Sequence, residues 1–166
     1  MTGIYTWDRV VKSTHWLVAI LFLANYFALE EGSSPHQWAG YIILLSLGIR
    51  FVWGMITNSP ARLSRFPPSI RGALTHLREV YQTRSDRHEG HNPAGAIMIW
   101  IMWAGLVATA LSGWSLEYSP WAEQEWLEEV HETFANITLM AVTIHISAVI
   151  LMTKITGKRY IRSMTR

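Results

Sequence analysis

Four long runs of apolar residues dominate the chain, at about 10–29, 37–56, 94–116 and 133–153. Each is close to the ~20 residues that a helix rising ~1.5 Å per residue needs to cross ~30 Å of hydrocarbon. They are too long and too uniformly apolar to alternate like the strands of a membrane barrel. The pattern predicts an all-α membrane protein, a bundle of four transmembrane helices forming one domain over residues 1–166. Between the second and third runs the chain turns polar, and Pro67-Pro68 interrupts it. Ile70, Ala73, Leu74, Leu77, Val80 and Tyr81 then recur at helical spacing, with Arg71, His76, Arg78 and Glu79 between them. That spacing predicts a short amphipathic helix on the inner membrane surface.

Charge sorts the loops into two sides. Of the 14 Lys and Arg, all but Arg50 lie at or before the start of the first run, between the second and third, or after the fourth, out to Arg166. The two other connections carry Glu30 and Glu31, then Glu117, Glu123, Glu125, Glu128, Glu129 and Glu132, with no Lys or Arg. By the positive-inside rule both termini are expected in the cytoplasm. Trp38, Trp53, Trp114, Trp121 and Trp126 near the run ends suit an interfacial aromatic belt. Basic charge segregated in this way points to a lipid surface and not to nucleic acid. Half of the 166 residues are apolar and none is Cys, which excludes disulfides, iron–sulfur clusters, thiolate zinc and covalently attached haem. The start, with Trp7, Asp8 and Arg9, offers no small-residue cleavage site after the first apolar run, so that run is expected to remain as a span.

With Cys excluded, any metal chemistry falls to His, Met or carboxylate. Seven His are present, and His15, His36, His131 and His145 lie inside or at the rim of a span, where ionisable side chains are costly and usually functional. His131 and His145 are fourteen residues apart. On a helix this places them ~21 Å apart and within ~40° of one face. His15 starts the first span on the inner side and His36 the second on the outer side, so topology pairs His15 with His145 and His36 with His131. Counting up from His15, residue 29 stands fourteen positions on, which gives the same rise a second time. Two imidazoles per level leave no open coordination position, an arrangement suited to a b haem in electron transfer.

Arg50 stands inside the second span, fourteen residues after His36, at the depth of the inner pair. There it can pair with haem propionates or snorkel to the inner interface. Ser13, Thr14, Thr143 and Ser147 are candidates to accept the second imidazole proton. His76 and His88, in the Arg-rich loop, read as surface residues, and the Met residues as packing. Gly95, Ala104, Gly105 and Ala108 suit close helix packing, while Gly40 and Gly48 can admit a porphyrin face.

At these residues the chain resembles the bacterial cytochrome b561 family, which includes the nickel–iron hydrogenase cytochrome b subunit. The carrying segments are WDRVVKSTHW at 7–16, HQWAGYIILLSLGIRFVWG at 36–54, GHNPAGA at 90–96 and LEEVHETFANITLMAVTIHISAV at 127–149, so all four spans take part. The resemblance implies a bacterial inner-membrane cytochrome with two haem b groups that exchanges electrons with quinone, with His15, His36, His131 and His145 as iron ligands and Arg50 beside a haem. In the GHNPAG turn, His91 and Asn92 are candidates for quinone contact. Asn92 as a helix cap, with Pro93 in the first turn, is the equal alternative. The acidic outer segment from Glu117 to Glu132 is expected to steer a basic partner such as a periplasmic cytochrome c or another redox protein. A homodimer is also admitted. Two other readings stay open: a stand-alone superoxide:quinone oxidoreductase, which an acidic rim disfavours, and a haem-free scaffold or transporter relaying protons through its His.

Overall fold

A computed structural model describes residues 6–88, 90–122 and 124–165. Glu123 and Arg166, counted above in the charge pattern, lie outside the described residues. The described chain is helical: α1 (Arg9–Phe27), α2 (Ser34–Ile56), a single 3-10 turn (Leu63–Arg65), α3 (Ile70–Thr83), α4 (Pro93–Tyr118), α5 (Glu125–Thr156) and α6 (Tyr160–Thr165), with no strand among the described residues. Side-chain caps set most of the starts. Asp8 accepts from the Val11 amide at 2.9 Å, Ser69 from Gly72 at 3.1 Å and Asn92 from Gly95 at 2.7 Å. Each such cap contributes on the order of 1 kcal/mol by satisfying an amide that the helix leaves without a partner. α5 ends at Gly157, whose φ of 70° is left-handed backbone that glycine adopts without strain.

Helices α1, α2, α4 and α5 are long and apolar enough to cross a membrane, which agrees with the four expected spans. The fourth differs at its start. α5 runs for 32 residues, ~48 Å, and begins two turns ahead of the apolar run. Glu125, Glu128, Glu129 and Glu132 therefore stand on a helix and not in a loop. Two causes extend it: Glu125 and Glu128 lie in the first turn, where carboxylates favour the positive end of the helix dipole, and Leu127 is buried. A run of acids that looks like loop in the sequence is here a favourable helix start.

The helices form two hairpins, α1 on α2 and α4 on α5, joined mainly where α2 meets α4. Contact of α1 or α2 with α5 is sparse, so a slot separates the His15 and His36 helices from the helix that carries His131 and His145. The α4–α5 approach is close because Gly105 lacks a side chain: a Cβ there would meet the Thr138 hydroxyl at 2.5 Å. Phe22, Ile43 and Leu106 form an apolar cluster that ties α1, α2 and α4 together.

At one end of the bundle the Trp7 amide donates to the Ser163 carbonyl, and the Trp16 indole to that of Met164, each at 3.1 Å. Both termini thus lie on one side, as four crossings require. Trp38, Trp114, Trp121 and Trp126 are exposed, as a belt needs, whereas the Trp53 indole turns inward and donates to Asp8 at 3.2 Å.

α3 packs on α4 through Ala73, His76 and Val80 and leaves Ile70, Leu74, Leu77 and Tyr81 uncovered. That uncovered apolar stripe is what a helix lying on a bilayer would present. The expectation of a surface His76 is corrected: the residue is only 3% exposed. It falls three residues after Ala73 and four before Val80, so helix periodicity carries it onto the packed face whatever its polarity.

Candidate functional site

Across the slot the four span histidines meet two by two. The rings of His15 on α1 and His145 on α5 lie 6.4 Å apart between centroids, and those of His36 on α2 and His131 on α5 lie 6.2 Å apart. Fourteen residues along α5 separate the two levels by ~21 Å.

The outer pair has a defined orientation. His131 Nδ1 lies 2.9 Å from the Thr109 carbonyl, which can only accept, so this nitrogen carries the proton and the Nε2 lone pair is left available. The Ser112 hydroxyl donates to the same carbonyl at 2.9 Å. Gly113 makes room for the ring, since a Cβ there would meet His131 Cε1 at 2.9 Å. On the facing hairpin, Asn25 of α1 donates to the His36 carbonyl at 3.1 Å and locks α1 to α2 at this level. Thr109, Gly113 and Asn25 were not singled out in the sequence. A Gly or an Asn in an apolar span is a weak signal, and a backbone carbonyl gives none. Of the hydroxyls that were, Ser13, Thr14 and Thr143 donate back to carbonyls of their own helices, as is usual for such residues in mid-helix.

The inner pair adjoins a compact aromatic pocket. Arg50 is 6% exposed; its Nη2 donates to the Ala61 carbonyl at 3.2 Å, and Nη1 is buried without a hydrogen-bond partner. The guanidinium carbon lies 5.4 Å from the Trp103 ring centre and 6.0 Å from that of Phe66. Such contacts offset part of the cost of the buried charge. Gly54 is required beside it, because a Cβ would meet Leu63 Cγ at 2.8 Å and Arg50 Nη1 at 3.1 Å.

His91 closes the pocket, stacked on Trp7 at 4.2 Å and edge-on to Phe66 at 4.6 Å. Burial, helped by the positive charge of Arg50, pushes its pKa down to about 3, so it is neutral at physiological pH. Its Nε2 is buried and without a partner. Asn92 next to it is fully engaged: the side-chain oxygen caps α4 and the nitrogen donates to Asp86 at 3.1 Å.

A neutral buried His91 ties stability to pH. The unfolded chain protonates this imidazole near the ordinary ~6.5 and the folded one only near 3, so the unfolded state binds more protons between these values. The contribution is complete above ~6.5 and is lost as pH falls toward 3. Between pH 7.5 and 5 the melting temperature should drop more for wild type than for His91→Gln; parallel profiles would refute this.

The model of one protein family, described as prokaryotic cytochrome b561, matches residues 6–166. The chain belongs to that family. No curated protein and no solved structure matched it. Membership identifies a multi-pass bacterial membrane protein that transfers electrons across the membrane with b-type haem, and the residues present can be tested against that group. Two imidazoles bound to one metal ion from opposite sides have centroids ~6.3 Å apart, from ~2 Å bonds and ~1.1 Å between nitrogen and ring centre. The cytochrome's 6.4 and 6.2 Å agree at both levels. Nδ1 of His15 and of His36 is also buried without a hydrogen-bond partner, a polarity that an apolar slot does not tolerate cheaply. An ideal Cβ on Gly40 or Gly48 of α2 would meet nothing within 4 Å. The donor set and its spacing fit b-type haem.

Proposed function

We propose that the chain is a di-haem cytochrome b of the bacterial inner membrane that moves electrons between the quinone pool and a periplasmic redox partner. His15 and His145 would hold the inner haem and His36 and His131 the outer one. The observation that carries this reading is the presence of two facing imidazole pairs at two depths, each at the separation of a doubly ligated metal. Bound b haem would supply one-electron exchange, with the four histidines as its holding residues. The surrounding residues do the rest. The Thr109 carbonyl fixes the tautomer of His131, Asn25 holds the His36 backbone, and the Arg50 guanidinium offers its free Nη1 to a haem propionate. His91, neutral and with a partnerless Nε2 between Trp7 and Phe66, is suited to hydrogen-bond a quinone oxygen at the inner end. Asn92 serves by fixing the turn that carries it.

Pyridine haemochrome on protein expressed with ample haem should give two haems per chain; one or none would overturn the two-centre reading. At the outer end, Glu125, Glu128, Glu129 and Glu132 project an acidic helix start that would steer a basic protein such as a cytochrome c. Changing residues 123, 125, 128 and 129 from Glu to Gln should slow electron exchange with a basic cytochrome c by about tenfold at low ionic strength, with little effect at high salt. An unchanged rate and salt dependence would remove this partner.

A further inference from the structure

Away from the span histidines, a second cluster of metal-ligating side chains lies where the amphipathic helix meets the entry to α4. His76 comes from α3, and Asp86 and His88 from the segment that leads into α4. One potential ligand atom from each lies within 4.8 Å of the other two. Both ring nitrogens of His76 are buried without a hydrogen-bond partner, in a residue that is 97% buried. A neutral imidazole carries one N–H and one lone pair, so this ring leaves both unsatisfied, and nothing in the electron-transfer reading uses it. The His88 ring is 4.8 Å from it, centroid to centroid. The Asp86 side chain is fully buried, with Oδ1 at 3.0 Å from His88 Nδ1. Two donors bound tetrahedrally to one ion at ~2.1 Å stand ~3.4 Å apart, so this hydrogen-bonded pair needs only a small opening to take an ion between its atoms.

We propose that His76, Asp86 and His88 form a binding site for a divalent first-row transition ion of the zinc type. Asp86 is held ready for it. Its Oδ2 accepts from the Tyr160 hydroxyl and from Asn92 at 3.1 Å and faces the Lys158 ammonium at 3.5 Å, while Oδ1 accepts from the His88 amide at 3.0 Å and is turned toward the His88 ring. The His88 side chain is 40% exposed and lines an open cleft together with Ser69, Thr75 and Glu79, through which an ion can enter and solvent can complete its coordination. The donors select the ion. Calcium and magnesium need several oxygen ligands, and here a single carboxylate is already shared with an ammonium, whereas two neutral imidazoles and one carboxylate suit zinc and its neighbours. Such an ion would join α3 to the α4 entry and, through Asp86, to Lys158 and Tyr160 in the C-terminal segment, at the end of the bundle where His91 sits.

The test uses the full chain with its haem bound, so that the span histidines are occupied. After chelator treatment, the protein is dialysed against zinc chloride and bound zinc is measured by mass spectrometry. Wild type should retain one zinc per chain, unaffected by excess magnesium, with two imidazoles in the zinc X-ray absorption spectrum. His88→Ala and His76→Ala should each weaken binding by about tenfold or more while the haem spectrum is unchanged. His88 is partly exposed, so its variant decides the matter if His76→Ala fails to fold. Zinc retention by wild type no higher than by His88→Ala would overturn the site.

Discussion

Replacing His145 by Ala should remove one haem from the protein and leave the other in place, so that haem per chain falls by about half. The argument starts from α5, which alone supplies a ligand at both levels: His145 faces His15 at 6.4 Å and His131 faces His36 at 6.2 Å. Because ~21 Å of helix separates the levels, loss of one imidazole has no direct route to the other pair. The remaining iron should keep its low-spin signal and its own midpoint potential. His15→Ala should remove the same component as His145→Ala, while His36→Ala and His131→Ala should remove the complementary one. Potentiometric titration of the four variants checks the grouping. Any other grouping, such as His15→Ala and His36→Ala deleting the same component, would break the pairing on which the proposed function rests.

The pairing itself was legible in the sequence, and the reason is mechanical. A membrane span is a rod of fixed rise, so residue counts convert to depth, and the order of spans decides which ends share a side. His15 with His145 and His36 with His131 follow from those two facts. Arg50 was legible for a related reason, since a charge within an apolar run stands out. Lateral contacts were not legible, because they depend on how rods rotate and approach. The Thr109 carbonyl under His131, Gly113 beside the same ring, Leu63 against Gly54 and Asn25 on the His36 carbonyl all come from a neighbouring helix or loop. The sequence misled where polarity was taken for position. His76, read as solvated because its neighbours are Arg and Glu, lies on the packed face of α3, and the acids from Glu125 to Glu132, read as loop, extend α5. In both cases helix periodicity and the dipole outweigh the hydropathy of single residues.

Gly113→Val should disable the outer level without touching a ligand. A Cβ at this position would meet His131 Cε1 at 2.9 Å and Nδ1 at 3.2 Å, closer than unstrained atoms stand. Relief by separation of the helices would give up the close packing two turns away, where Gly105 lies against Thr138. The ring must therefore swing, and it then gives up the 2.9 Å bond to the Thr109 carbonyl that fixes its tautomer. Disturbing such a supporting contact lowers metal affinity by about 10–100-fold. The branched Val adds overpacking on the order of 1–3 kcal/mol to that loss. At limiting haem supply the variant should lose the component that His131→Ala removes, retain the one that depends on His15 and His145, and keep wild-type helix content. Gly113→Ala, with the smallest possible addition, should fall between. If Gly113→Val loads both haems as wild type does, the His131 ring is not held where α4 places it, and the proposed orientation of the outer ligand fails.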